Sequence, residues 1–162
     1  MPVEGHIIDY VTKDSVKFLY FEDIDNNVGA VYDEVDVRGR SEGHMFYSHT
    51  GPDTYSLSIR LAASVDQYDK GDAKQLWSDY LFIKSFQFPD YGGDSMGPVL
   101  PPRKAIIQIG KWFKKVGAIV QPRGSFLSPY DEDGYPMVID VQFTLRVINT
   151  TPLDLYQIRI GQ

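Results

Sequence analysis

Cysteine is absent from the 162 residues, which excludes disulfides, thiolate zinc sites and cysteine nucleophiles. Histidine is scarce, with three residues in all. No run approaches the ~20 apolar residues of a membrane-spanning helix, so no membrane partner is expected. Positive charge is in the minority. The 16 Lys and Arg against 22 Asp and Glu leave a formal charge of −6 and a pI near 4.9, which argues against a protein that wraps nucleic-acid phosphates. The 14 glycines and 10 prolines fall short of the roughly 25–30% that marks low-complexity chains. The opening Met1-Pro2-Val3-Glu4-Gly5-His6 has neither the basic nor the apolar region of a signal peptide, and a soluble protein of a reduced compartment is expected. What the chain has in quantity is apolar material, 43% hydrophobic and 14% aromatic. That suffices for one domain over 1–162, which at this length buries roughly two thirds of its unfolded surface.

Period-two patterns dominate. Tyr55, Leu57, Ile59 and Leu61 alternate with Thr54, Ser56, Ser58 and Arg60, as a half-buried strand requires when successive side chains leave opposite faces. The longest case puts Met137, Ile139, Val141, Phe143, Leu145 and Val147 on one face and Asp140, Gln142, Thr144 and Arg146 on the other, a strand of about 35 Å. Val138 interrupts the polar face, so that end is expected to be covered as well. Shorter strands are expected at Ile7–Val11, Val16–Phe21, Val35–Gly39, Lys104–Ile109, Lys114–Gln121 and Leu155–Ile160, with Gly110-Lys111-Trp112 as a hairpin turn. One helix is expected: Ala73, Leu76, Trp77, Tyr80, Ile83 and Lys84 recur at helical spacing behind Asp72 as N-cap. It should end near Lys84–Phe86, before Pro89-Asp90-Tyr91-Gly92-Gly93. Two Gly- and Pro-punctuated segments, about 88–102 and 121–136, read as extended loops.

Little in the pattern selects a chemistry. His44 and His49 lie five apart with only Asp53 or Glu42 near them, and read as loop histidines rather than zinc ligands. Asp23, Asp25, Asn27 and Glu34 match positions of a calcium loop, but Val28 stands where the sharp turn needs glycine and both flanks read as strand. A polar turn is expected there, and again at Asp131-Glu132-Asp133-Gly134. Ser41, Ser48 and Ser125 lack a nucleophile-elbow context, and Gly92-Gly93 follows a helix instead of opening one. No catalytic residue, metal or cofactor is expected. Lys104, Lys111, Lys114 and Lys115 surround Trp112 and Phe113, with Arg103 just upstream, an interleaving found in single-strand nucleic-acid binders.

From Tyr80-Leu81-Phe82-Ile83-Lys84-Ser85-Phe86 the chain continues through Phe88-Pro89-Asp90-Tyr91, Pro101-Pro102 and Ile107-Gln108-Ile109-Gly110-Lys111-Trp112. Gly117-Ala118-Ile119-Val120, Pro129-Tyr130-Asp131, Gly134-Tyr135-Pro136 and the strand Val138–Val147 follow. This order resembles the baseplate and tube-initiation (hub adaptor) proteins of contractile phage tails and related injection machines. The resemblance covers Asp79 to Val147, about half of the chain, and more faintly Arg38-Gly39-Arg40 and Tyr55–Leu61. Many of those proteins carry an added LysM domain, and no such segment is seen here.

The resemblance implies a β-rich (α+β), tail-tube-like fold: a split β-barrel of two packed sheets with one external helix and long loops that clasp neighbours. It implies a non-enzymatic structural protein of the virion tail or baseplate, made in the host cytoplasm, in a homohexameric ring that anchors or initiates the inner tube. Its partners would be further copies of itself, the tail tube protein and other baseplate or hub proteins, with DNA only in transit. Phe88, Pro89, Tyr91, Pro101, Pro102, Trp112, Pro129, Tyr130 and Tyr135 are the subunit-contact candidates. Asp140, Gln142 and Thr144 are the channel-lining candidates, where carboxylates would repel passing phosphates, so Asp140→Lys is expected to spare assembly and slow DNA passage. The alternative is a small β-barrel that binds nucleic acid through residues 103–115; a hydrolase is the third and least supported reading.

Overall fold

The strand that alternates most cleanly in the sequence lies at the heart of the molecule. In the computed structural model, which describes residues 3–20, 24–35, 44–63, 72–90 and 99–148, Pro136–Val147 is a strand with a neighbour on each side. In chain order the elements are β1 (Val3–Asp9), β2 (Ser15–Tyr20), β3 (Asp25–Asn27), β4 (Ala30–Val35) and β5 (His44–Thr50). They continue as β6 (Thr54–Ala62), α1 (Asp72–Ser85), β7 (Ala105–Ile109), β8 (Phe113–Tyr130) and β9 (Pro136–Val147). The expected strand at Leu155–Ile160 and the Arg38-Gly39-Arg40 step lie outside the described residues.

β9 pairs antiparallel with β6 from Thr54↔Arg146 to Ala62↔Val138, and with β8 on its other edge. The register sets Leu57 against Phe143, Ile59 against Val141 and Leu61 against Ile139, all buried. Such directly opposed apolar pairs are the unit of sheet stability. A slip of one residue would turn every one of them to water, so the alternation itself fixes the register.

The seven-stranded sheet has the order β2-β1-β7-β8-β9-β6-β3, and its far strand comes round to touch β6 at Leu19↔Arg60. The sheet is therefore curled into a split barrel. Ile7, Phe18, Ile107, Ile109, Ile119 and Phe113 join the β6 and β9 residues inside it. Helix α1, beginning at Asp72 as expected, adds Leu76, Tyr80 and Ile83, and Phe86 follows from the turn beyond. Gln75 and Ser78 face water, while Asp79 is half-buried. The fold is β-rich with one helix outside the strands, and its second sheet is the two-stranded β4–β5 hairpin.

Three boundaries differ from those expected. The N-terminal strand is Val3–Asp9, because Asp9 accepts hydrogen bonds from the N–H groups of Val11 and Thr12 and turns the chain there. Of the expected strand Val35–Gly39 only Val35, the last residue of β4, is among the described residues, and the rest of β4 and all of β5 were not foreseen. The largest correction concerns the segment 121–136, read as a loop: β8 continues through it to Tyr130. Pro122 and Pro129 do not end the strand, because past Gly117 β8 pairs only with β9 among the described residues. On such an edge a missing N–H costs no ladder bond. Both prolines fall at register shifts, between Val120 and Arg123 and between Leu127 and Tyr130, and Gln121 takes a φ of 51°. Only Asp131–Tyr135 is a turn, closed by Asp131 N to Tyr135 O (2.9 Å) and Tyr135 N to Asp131 Oδ1 (2.6 Å).

Gly117 sits where a Cβ would run into the carbonyl oxygen of Arg146, a backbone atom that has no rotamer to yield. Gly117→Ala should lower stability by about 1–3 kcal/mol, a fall in Tm of about 3–10 °C. Gly29→Ala, with nothing within 4 Å of its Cβ, should leave Tm within about 2 °C. Equal melting curves for the two variants would show that the Gly117 approach is not tight.

Candidate functional site

Among the described residues no three His, Asp or Glu side chains come together as metal ligands. The segment with calcium-loop spacing is instead β3 and β4, joined through Val28 and Gly29, with Asp25↔Ser56 and Asn27↔Thr54 held in a ladder; Asp23 lies outside the described residues. His44 and His49 belong to β5, and His49 reaches only its neighbour, Nδ1 to Ser48 Oγ at 3.3 Å. The surface features that stand out among the described residues are an arm, two unlike barrel ends and a polar sheet face.

The arm continues the β3–β6 ladder outward. Gly51 N donates to Gly29 O at 2.7 Å, and beyond that bond β4 and β5 pair from Ala30↔Thr50 to Val35↔His44. The side chains described on both strands are exposed, among them Val31, Tyr32, Val35, Met45, Phe46 and Tyr47. Within the arm Tyr32 meets Tyr47 edge-on at 5.9 Å, and the Tyr47 hydroxyl bonds Thr50 at 2.7 Å. The sequence hid this element because both faces of the arm are wet, so no alternation marks it.

At one end of the barrel the β1–β2 turn, the end of α1 and Phe88–Asp90 surround a groove of about 350 Å³. Arg103 ties it together: Nη2 and Nε reach Asp90 Oδ2 at 2.7 and 2.9 Å, and Nη1 reaches Asp9 Oδ2 at 3.4 Å. Asp90 and Leu100 exchange two backbone hydrogen bonds, which fixes both ends of the segment between them. Burial alone would raise the Asp9 pKa, but the N–H groups of Val11 and Thr12 and the Arg103 guanidinium outweigh it and hold the carboxyl below its ordinary 3.8. Of the contact candidates, Phe88 and Pro89 line this groove, Pro101 and Pro102 are exposed just beyond it, and Tyr91 lies outside the described residues. Pro129 and Tyr130 are exposed at the outer end of β8, and half-buried Tyr135 closes the hairpin turn.

Trp112 sits apart from all of them, at the opposite barrel end and 72% exposed. Gly110 N, in its turn, bonds Glu4 O at the start of β1, whereas Tyr10 N bonds Lys104 O past the end of β1. The basic aromatic segment 103–115 is therefore split. Arg103 is committed to the groove, Lys104 is exposed at that same end, Phe113 is buried against Tyr55 at 5.1 Å, and Trp112 with Lys111 and Lys114 forms an exposed group at the other end.

The outer face of β6, β8 and β9 carries the channel-lining candidates, and it is not acidic. Asp140 accepts a two-pronged contact from Arg60, Nε to Oδ1 at 2.6 Å and Nη2 to Oδ2 at 2.7 Å, a geometry only the planar guanidinium provides. Gln142 and Thr144 share a groove with Ser56, Ser58, Asp25 and Arg123. The partner eighty residues away was invisible in the sequence, and it adds to Asp140→Lys an effect that the sequence did not show. That change would set two cations against each other and weaken the β6–β9 pairing.

No family model matches the chain, and no curated protein matches it. Among solved structures it is similar to a chain of the anti-feeding prophage baseplate, determined by cryo-EM with 6-fold symmetrisation. The identity is 6% and the TM-score 0.38, over 91% of this chain and 89% of that one.

Two titrations test this geometry. Because the folded Asp9 pKa lies below its unfolded value, its contribution is present above about pH 4 and lost as the pH falls through the folded value. Asp9→Asn should flatten that acid limb in urea melts taken across the range, while unchanged acid sensitivity would rule out the Asp9 pairing. Burial, and next the Asp53 carboxylate at 3.0 Å, push the Tyr55 phenol up to about 12. From pH about 10 to 12 the unfolded chain has lost a proton that the folded chain keeps, so stability falls as pH rises. Tyr55→Phe should remove that part of the slope; parallel curves for the two proteins would show an unperturbed phenol.

Proposed function

We propose that this chain is a structural subunit of a contractile-tail type of particle, a ring component at the junction of baseplate and tail tube that anchors or initiates the inner tube. The observation that carries the reading is the β4–β5 arm. A two-stranded ribbon standing alone in water is marginal at best, and contiguous apolar surface of this kind marks a contact site. Tyr32, Met45, Phe46 and Tyr47 are exposed along it. The order of motifs from Tyr80 to Val147, which resembles tube-initiation and hub adaptor proteins, supports the choice of particle. In this reading the arm and the segments around Phe88–Pro102 and Pro129–Tyr135 reach neighbouring copies and rings, and function follows from placement instead of from chemistry at a site.

A ring needs two different complementary surfaces on each subunit, and the arm is one of them. Quantitative mass spectrometry of purified particles should find this chain at about six copies or a small multiple of that; absence from the particle would end the structural reading. The triple variant Val31→Thr, Phe46→Thr, Tyr47→Thr should melt within about 2 °C of the parent, since exposed positions away from the core contribute little. Its incorporation should fall at least about tenfold, the loss expected when an apolar anchor worth more than 1.4 kcal/mol is removed. Normal incorporation of that variant would remove the arm from the contact.

A further inference from the structure

The two ends of the barrel are chemically unlike, and they match each other. The groove end is lined by Phe82, Phe86, Phe88 and Pro89 on its apolar side and by Asp9, Asp14, Asp90 and Arg103 on its polar side. Arg103 is taken up by Asp90 and Asp9, and Asp14 has no ion pair among the described residues. Lys13 is folded onto its own turn, 4.6 Å above the Tyr10 ring with Nζ donating to Tyr10 O at 2.6 Å. The groove thus offers an aromatic cleft beside the Asp14 carboxylate, which pairs with no cation among the described residues.

The opposite end offers the complement. Trp112, the most exposed aromatic side chain among the described residues, projects from the β7–β8 turn with only an edge contact to Phe113 at 5.4 Å. Lys111 precedes it and Lys114 follows, both exposed and neither in an ion pair among the described residues. An indole is a rigid anchor with a large apolar area and one polar handle, and a flanking cation gives it direction. The whole length of the β1–β7 ladder, from Gly5↔Ile109 to Asp9↔Ala105, separates tip from groove, so the two cannot meet within one molecule.

We infer that the Lys111–Trp112 tip of one copy docks in the groove of the next, with the indole among Phe82, Phe88 and Pro89 and the Lys111 ammonium opposite Asp14. The contact is heterologous: each copy keeps one free tip and one free groove. Copies therefore add head to tail, ending in a ring where the rotation closes and in a filament where it does not. The inference concerns the isolated chain and holds or fails independently of the proposed particle.

Sedimentation velocity of the full chain, from micromolar to hundreds of micromolar, tests it. The parent should show a sedimentation coefficient that rises with concentration, more steeply at low salt because an exposed ion pair is screened. Trp112→Ser should weaken association at least about tenfold, and Lys111→Glu or Asp14→Lys several-fold, all with unchanged melting because the three positions are exposed. Lys111→Glu combined with Asp14→Lys should restore association. A mixture of the Trp112→Ser chain with the Asp14→Lys chain should stop at a one-to-one dimer, since the first supplies a sound groove and the second a sound tip, while the remaining contact would lack the indole and set Lys111 against a lysine. A parent that stays monomeric throughout, or association indifferent to Trp112→Ser, overturns the inference. So does Trp112 fluorescence that answers to a single-stranded oligonucleotide but not to protein concentration, which would assign the tip to nucleic acid.

Discussion

Everything in this fold hangs from the two ladders that flank β9. Ile139, Val141, Phe143 and Leu145 are buried on one face of a strand paired along both edges. β6, β8, β1 and β7 are placed by pairing outward from it. The helix is placed by the apolar surface that this curl leaves uncovered, which Leu76, Tyr80 and Ile83 fill. Because the pairs across β6 and β9 are apolar on the inside and, except for Ala62↔Val138, polar on the outside, one constraint sets register, curvature and the composition of both faces.

That constraint also explains what was legible. Strands buried on one face announce themselves, so β6 and β9 were readable to within a residue or so, and the helix began at Asp72 as its spacing required. The outer half of β8 was not readable because Pro122, Gly124 and Pro129 are turn formers in most settings. They are tolerable because, among the described residues, no further strand pairs on that edge. The arm was hidden for the opposite reason: with water on both faces of β4 and β5, nothing in the order of side chains distinguishes strand from loop.

The contact surfaces divide in the same way. Trp112 stood out as an aromatic residue among lysines, and its exposure follows from its place in a tight turn. The groove had no signature, because Asp9, Asp14, Phe82, Phe86 and Arg103 come from three separated stretches of the chain. Asp140 shows the cost of reading charge without partners. Its face looked anionic along β9, yet Arg60, opposite on β6, cancels it, and Arg123 and Arg146 shift the balance further toward positive charge.

The prolines of β8 bear on what the open edge of that strand can pair with. An exposed strand edge is a template for any extended segment that comes near it, and self-assembling proteins live at high local concentration. Pro122 and Pro129 present no N–H, and each sits at a shift in register, so an intruding strand finds regular pairing only across two short windows, Ala118–Val120 and Arg123–Ser128. The edge is thereby shut to runaway sheet growth. Any contact the chain makes is then left to side-chain surfaces, where shape and charge, unlike backbone, can tell one partner from another.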